Sequence, residues 1–339
     1  MRETHKSRET HEKTREEEKG GEANGTKPVR RAAPGTPGTP AGRILPDEGA
    51  LVLDGGLSNQ LVDQGCDLTD PLWTARLLAE EPEQVFAAHT AYLEAGAQVV
   101  TTASYQATFE GFARRGVGRA EAARLLERSV ELARRAAAGR TRVRVAASVG
   151  PYGAMLADGS EYRGRYGLSV RELAKFHRPR IEVLAAAGPD VLALETVPDV
   201  DEAEAMLKAV EGSGVPVWLS YTVEGGRTRA GQRLAEAFSL VAGRDEVVAV
   251  GVNCCAPGEV ADAVRLAAEV SGKPVVAYPN SGEHWDAEGR RWAGETEFDP
   301  ALVTGWCQEG ARLVGGCCRV GPPGIAGIAA ALRGGGRAA

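Results

Sequence analysis

The chain lacks the features that would send it to a membrane or to nucleic acid. None of its apolar runs approaches the roughly 20 residues that a bilayer span needs. Its N-terminus is charged rather than apolar, which argues against a secretory signal and leads us to expect a cytoplasmic protein. The net charge is −6, and no basic stripe with interleaved aromatics occurs in the part expected to fold, so neither a nucleic-acid nor a membrane partner is expected. Histidine is scarce and scattered: His5 and His11 lie near the start, and His89 and His177 fall in helical patterns. Only His284 falls near the polar strand ends described below. No Gly-x-Gly-x-x-Gly turn follows the first strand-like run, which weakens a dinucleotide-binding fold.

What is present begins with an atypical stretch. Residues 1–44 carry a near-repeat, a charge run and a Pro/Gly/Thr segment, a composition that cannot bury a core, and are expected to be a disordered tail. Residues 45–335 are expected to form one domain without an internal linker, and 336–339 a disordered C-terminus.

Within 45–335, short Val-, Leu- and Ala-rich runs recur at 50–53, 97–101, 143–148, 191–194, 215–221, 247–252, 274–278 and 312–314. They are apolar on both faces, as strands of a parallel sheet covered by helices must be. Helical patterns intervene, among them 120–138, 169–187, 201–210 and 259–270. Ser169 with Glu172 has the spacing of a capping box, and Asp199 or Asp201 can cap the next helix. Eight strand–helix units within a length typical of about 250 residues predict a (β/α)8 TIM-type barrel.

Directly after these runs the residues turn polar: Asp54, Thr102, Ser148, Glu195, Thr222, Asn253, Asn280 and two cysteine pairs, Cys254-Cys255 and Cys317-Cys318. In a barrel all of these line one mouth, the end where such folds build active sites. Thiols from two distant strands could grip one soft metal ion there, provided that Gly315 and Gly316 let the chain turn off its strand. Three sulfurs with an open fourth position is the pattern of a catalytic zinc site. Buried packing thiols, a bridge between adjacent cysteines, or thiols without a partner are the competing readings. Cys66 and Cys307 read as packing residues.

Seven segments in order resemble the homocysteine S-methyltransferases: Leu51-Val-Leu-Asp-Gly-Gly-Leu57, Thr102-Ala-Ser-Tyr-Gln-Ala107, Ser148-Val-Gly-Pro-Tyr-Gly-Ala154 with Leu156-Ala-Asp-Gly-Ser-Glu-Tyr162, Leu194-Glu-Thr196, Gly251-Val-Asn-Cys254, Tyr278-Pro-Asn-Ser-Gly-Glu283 and Gly315-Gly-Cys-Cys-Arg319. The resemblance is strongest to the short, cobalamin-independent enzymes that use S-methylmethionine. It implies one Zn2+ per chain on Cys254, Cys317 and Cys318, with Cys255 spare. It implies Glu195 for the ammonium of homocysteine, and Asp54 near that amine with backbone N–H groups at Gly55 and Gly56 for its carboxylate. Thr102, Tyr105 and Gln106, and Asn280, Ser281 and Glu283, are expected contacts to substrate and donor by the same resemblance. Trp285, Tyr162 and Tyr166 could face a sulfonium through cation–π attraction, but aromatics more often pack, and they are left out of the expected site. Competing functions are a thiol-rich zinc-binding or redox-sensing barrel without turnover, a betaine-type homocysteine methyltransferase, and a barrel enzyme whose glycine-rich loop at 315–324 binds phosphate. The expected partners are small molecules, homocysteine and a sulfonium donor. No cobalamin-binding segment is expected after the barrel, so a corrinoid-carrier role would need a partner.

Overall fold

Runs of Val, Leu and Ala flanked by amphipathic helices can bury both faces only by lying in a sheet with helices outside, and the computed structural model does this. It describes residues 44–46, 49–70, 72–286 and 291–335. The expected tail at 1–44, apart from Ile44, and the C-terminus at 336–339 lie outside the described residues. Ile44 is buried among the inward-facing strand residues.

Eight parallel strands form one sheet: β1 (Leu51–Val52), β2 (Val99–Thr101), β3 (Arg144–Val149), β4 (Val191–Val197), β5 (Val217–Tyr221), β6 (Val247–Asn253), β7 (Val275–Tyr278) and β8 (Ala311–Val314). Neighbours follow chain order, and β8 pairs with β1 through Leu51↔Leu313 and Val52↔Val314. A bridge between Leu53 and Val99, with Asp54 N donating to the Val99 carbonyl at 3.0 Å, joins β1 to β2 and closes the (β/α)8 barrel. The expected strands fall within two residues of these bounds, except that β4 runs on through Glu195 to Val197.

The anticipated helices form as Arg119–Ala137, Val170–Ala186, Val200–Val210 and Val260–Ser271. Ser169 and Glu172 make the reciprocal capping box. Asp199 caps the third of these helices by accepting from Asp201 N at 3.1 Å. No helix among the described residues is long and apolar enough to cross a membrane.

Strand alternation divides the core in two. Leu192, Leu194, Leu219 and Val250 pack outward against the helices, whereas Leu53, Val99, Ala146, Ala193, Trp218, Val276 and Leu313 fill the barrel. Strand spacing is tight enough at β6 that only glycine fits at 251: a Cβ there would lie 1.9 Å from the Val276 carbonyl oxygen. Both atoms belong to sheet backbone that cannot retreat, so Gly251→Ala is expected to cost about 3 kcal/mol or more. Chemical denaturation of the variant against the parent chain checks this; an unchanged midpoint would remove the packing argument.

Candidate active site

The strand ends build a cavity at the C-terminal mouth of the barrel, enclosing about 750 Å3 counting its open side. Asp54, Gly55, Gly56, Thr102, Tyr105, Glu195, Cys254, Cys317 and Cys318, expected in the site, all line it. So do Ser148 and Thr196, and so do Trp73, Thr101, Glu161, Tyr162 and Tyr278.

The sulfurs meet through two departures from regular strand geometry. After β6, Cys254 takes φ 48°, a left-handed backbone uncommon for a residue with a side chain. Its N–H donates to the Tyr278 carbonyl at 3.2 Å, and Thr222 Oγ1 donates to its carbonyl at 3.0 Å. After β8, the chain turns as Cys317 N donates to the Pro279 carbonyl at 2.7 Å and Cys318 N to Asn280 Oδ1 at 3.1 Å. The expectation that Gly315 and Gly316 lend conformational freedom is corrected here, because neither has positive φ. They are needed for close approach: a Cβ on Gly316 would lie 2.2 Å from a Val320 methyl, and one on Gly315 2.6 Å from the Leu53 Cβ.

The sulfurs of Cys254, Cys317 and Cys318 lie within 4.8 Å of one another. Cys254 Sγ is 4.0 Å from Cys318 Sγ, close to the about 3.8 Å edge of a tetrahedron with metal–sulfur bonds of about 2.3 Å. Cys254 and Cys317, with Cα atoms 5.5 Å apart, are joined as a disulfide, not the bridge between adjacent cysteines weighed above. Reduced, the three offer a sulfur donor set of the kind that takes zinc or another soft cation. Burial pushes the Cys318 thiol up to about 11, so thiolates gather there only around positive charge. Tyr162, left out of the site on the sequence as a packing residue, lies instead on the cavity wall together with Cys318. Tyr166 packs on Tyr152 with ring centroids 5.2 Å apart, and Cys255 is buried in the outer core.

Glu195 lies opposite on β4, where the pairing with β5 slips between Leu194 and Val197. Thr196, at the slip, has φ 58°, a strained conformation for a β-branched residue. Asn253 holds it there: Thr196 N donates to Asn253 Oδ1 and Asn253 Nδ2 donates to Thr196 Oγ1, both at 2.7 Å. This irregularity directs the preceding carboxylate into the mouth. Ser148 donates to Glu195 Oε1, and the Tyr278 hydroxyl donates to Oε2 at 3.0 Å. Having given its one proton to Glu195, the Tyr278 oxygen accepts from Trp218 Nε1 at 3.2 Å and from Ser220 at 2.7 Å. Burial outweighs these bonds and raises the Glu195 carboxyl to about 6.

Asp54 is buried and pushed up to about 7, although Thr101 N and Oγ1 donate to its two oxygens at 2.7 and 2.9 Å and pull the other way. The Gly56 N–H, expected to be free for a substrate carboxylate, donates to the Val320 carbonyl at 3.0 Å. Thr102 lines the cavity, but its hydroxyl accepts from Ser148 N at 3.0 Å and pairs with Ser104 at 2.6 Å. Tyr105 and Thr196 line the cavity together.

Asn280, Ser281, Gln106 and Glu283 do not line the cavity. Asn280 and Ser281 brace the cysteine turn from behind, Ser281 N donating to the Cys318 carbonyl at 3.0 Å. Gln106 Nε2 donates to the Ala154 carbonyl at 3.0 Å, and Glu283 pairs with Arg319 at 3.1 Å. The Trp285 and His284 side chains lie outside the described residues.

Similarity to known proteins extends over nearly the whole barrel. The family model described as homocysteine S-methyltransferase matches residues 51–332. Homocysteine S-methyltransferase YbgG of Bacillus subtilis is 42% identical, covering 87% of this chain and 98% of that protein. Homocysteine S-methyltransferase of Escherichia coli is 43% identical over 86% of this chain and 98% of its own. Solved structures of the E. coli homocysteine methyltransferase MmuM in metallated and oxidized forms superpose with TM-scores of 0.75 and 0.76, each at 41% identity over 84% of this chain and 96% of theirs. The chain belongs to the homocysteine S-methyltransferase family.

Proposed function

We propose that this chain transfers a methyl group from S-methylmethionine to the sulfur of L-homocysteine, with one zinc ion on Cys254, Cys317 and Cys318. The observation that carries the reading is the meeting of three cysteine sulfurs with two buried carboxylates, Asp54 and Glu195, at one mouth. A sensor or storage barrel for metal has no use for acids placed to meet an amino acid.

The reaction balances without an added acid. The acceptor thiol loses its proton, its sulfur forms the new S–CH3 bond, and the electron pair of the broken bond stays on the donor sulfur. The sulfonium thereby becomes a neutral thioether, and both products are methionine. Zinc, when bound, supplies the Lewis acidity that keeps a thiol deprotonated near neutral pH. The protein's own part is positioning and exclusion of water. Glu195, held by Ser148 and Tyr278, is placed to receive the homocysteine ammonium. Trp73, Tyr105 and Tyr162 give the wall the aromatic faces that attract a sulfonium.

Three outcomes follow. Prepared reduced, the parent chain should carry about one zinc, Cys318→Ala should lose both metal and methionine formation, and Cys255→Ala should keep both, as elemental analysis beside an activity assay would measure; full turnover without metal sinks the reading. A panel of S-methylmethionine, adenosylmethionine and betaine should favour the first, and turnover with betaine alone would reassign the donor. Because Glu195 and Asp54 titrate near 6 and 7, lowering the pH through that range neutralises the acids and should raise KM for homocysteine. Glu195→Gln should raise that KM at pH 8 by about 10- to 100-fold and weaken its dependence on acid; an unchanged KM removes Glu195 from the acceptor site.

A further inference from the structure

The cavity holds a third carboxylate that the acceptor does not account for. Asp54 and Glu195 each have both oxygens engaged by protein donors. Glu161 differs: it lines the same cavity, and its Oε2, shut off from solvent, meets no hydrogen-bond partner. A buried carboxylate oxygen left without a donor is costly, and such groups persist where a ligand completes them.

Its mounting is rigid. Glu161 belongs to the 3-10 turn Ser160–Tyr162, tied by Ser160 N donating to Asp158 Oδ1 at 3.0 Å and Tyr162 N donating to the Gly159 carbonyl at 3.1 Å. The turn packs so closely on the preceding helix that a Cβ on Gly153 would lie 2.4 Å from Glu161 N. The next residue, Tyr162, lines the same cavity, as do Tyr105 and Cys318. Glu161 therefore shares this cavity with the sulfur cluster and these aromatic rings, on the wall built after β3. Glu195 serves from β4.

The substrates supply the missing charge. Two amino acids meeting in this mouth bring two α-ammonium groups, and the donor adds a sulfonium. With Glu195 and Asp54 both assigned to the acceptor, Glu161 is the carboxylate of this cavity with an oxygen still unpartnered, and the second ammonium falls to it. We propose that Glu161 receives the α-ammonium of the methyl donor, and so selects an amino-acid sulfonium over a sulfonium that lacks the amine. This assignment rests on the reaction given above, but it applies to any sulfonium donor that carries an amino-acid end.

The test compares S-methylmethionine with its deaminated counterpart, 4-(dimethylsulfonio)butanoate, in the zinc-loaded parent chain and in Glu161→Gln. The deaminated compound is followed as a substrate or, if it is not turned over, as an inhibitor competing with the donor. Glu161→Gln should raise KM for S-methylmethionine about 10- to 100-fold. Its constants for the deaminated compound, its KM for homocysteine and its zinc content should match those of the parent chain. Equal losses on both sulfonium compounds, a rise confined to the homocysteine KM, or loss of zinc would each overturn the proposal. If the parent chain uses adenosylmethionine and not S-methylmethionine, the donor reading falls separately. The same variant measured on adenosylmethionine, which also bears an α-ammonium, then decides the role of Glu161: a raised KM upholds it and an unchanged one overturns it.

Discussion

One side-chain amide joins the two halves of the chemistry. Asn253 grips Thr196 through two hydrogen bonds of 2.7 Å while the residue after it, Cys254, turns into the left-handed region. Thr196 is itself left-handed and follows Glu195. A single buried contact thus sets the acid at the end of β4 and the first sulfur at the end of β6. Two strained residues at one mouth cost of order 1–3 kcal/mol each, and strain of this kind survives only where the surroundings over-determine it. Here the surroundings are the Asn253 clamp, the Tyr278 carbonyl and the Thr222 hydroxyl.

The acids add to that cost. Holding Glu195 charged at neutral pH, with its carboxyl raised to about 6, opposes folding by roughly 2 kcal/mol. The penalty is present above about 6 and fades as the pH falls below it, since the folded chain binds that proton more tightly than the unfolded one. The hydroxyls of Ser148 and Tyr278 reduce the penalty without cancelling it. A barrel interior that could have been closed with aliphatic side chains keeps instead a polar column, Trp218–Tyr278–Ser220 beneath Glu195, in keeping with the cation-binding role proposed for that carboxylate.

The fold was legible because each strand is apolar on both faces and bounded by turn residues, a pattern that few architectures can bury. The cysteine triad was legible as a convergence of strand ends, and its membership as a resemblance to a family. Other features depend on partners far along the chain. The extension of β4 through Glu195 reflects a clamp from Asn253, 57 residues away. Asn280 and Ser281 follow a strand as substrate contacts would, yet the amide of Asn280 serves the Cys318 backbone, 38 residues on. Tyr162 and Glu161 sit in a short turn after the third strand, where no periodicity marks which side chains face a cavity. The Gly315-Gly316 pair was noticed for flexibility, whereas its true constraint, the Val320 methyls and the Leu53 Cβ, exists only once the chain has folded.

Asp54 gives the seam between β1 and β2 a second meaning. The pairing there is brief, one bridge at Leu53 and Val99, and the Asp54 carboxylate reinforces it by binding Thr101 through both oxygens. The same carboxylate forms part of the cavity wall. Without the first strand zipped onto its second there is therefore no finished pocket, so one carboxylate ties the closure of the barrel to the completion of its cavity.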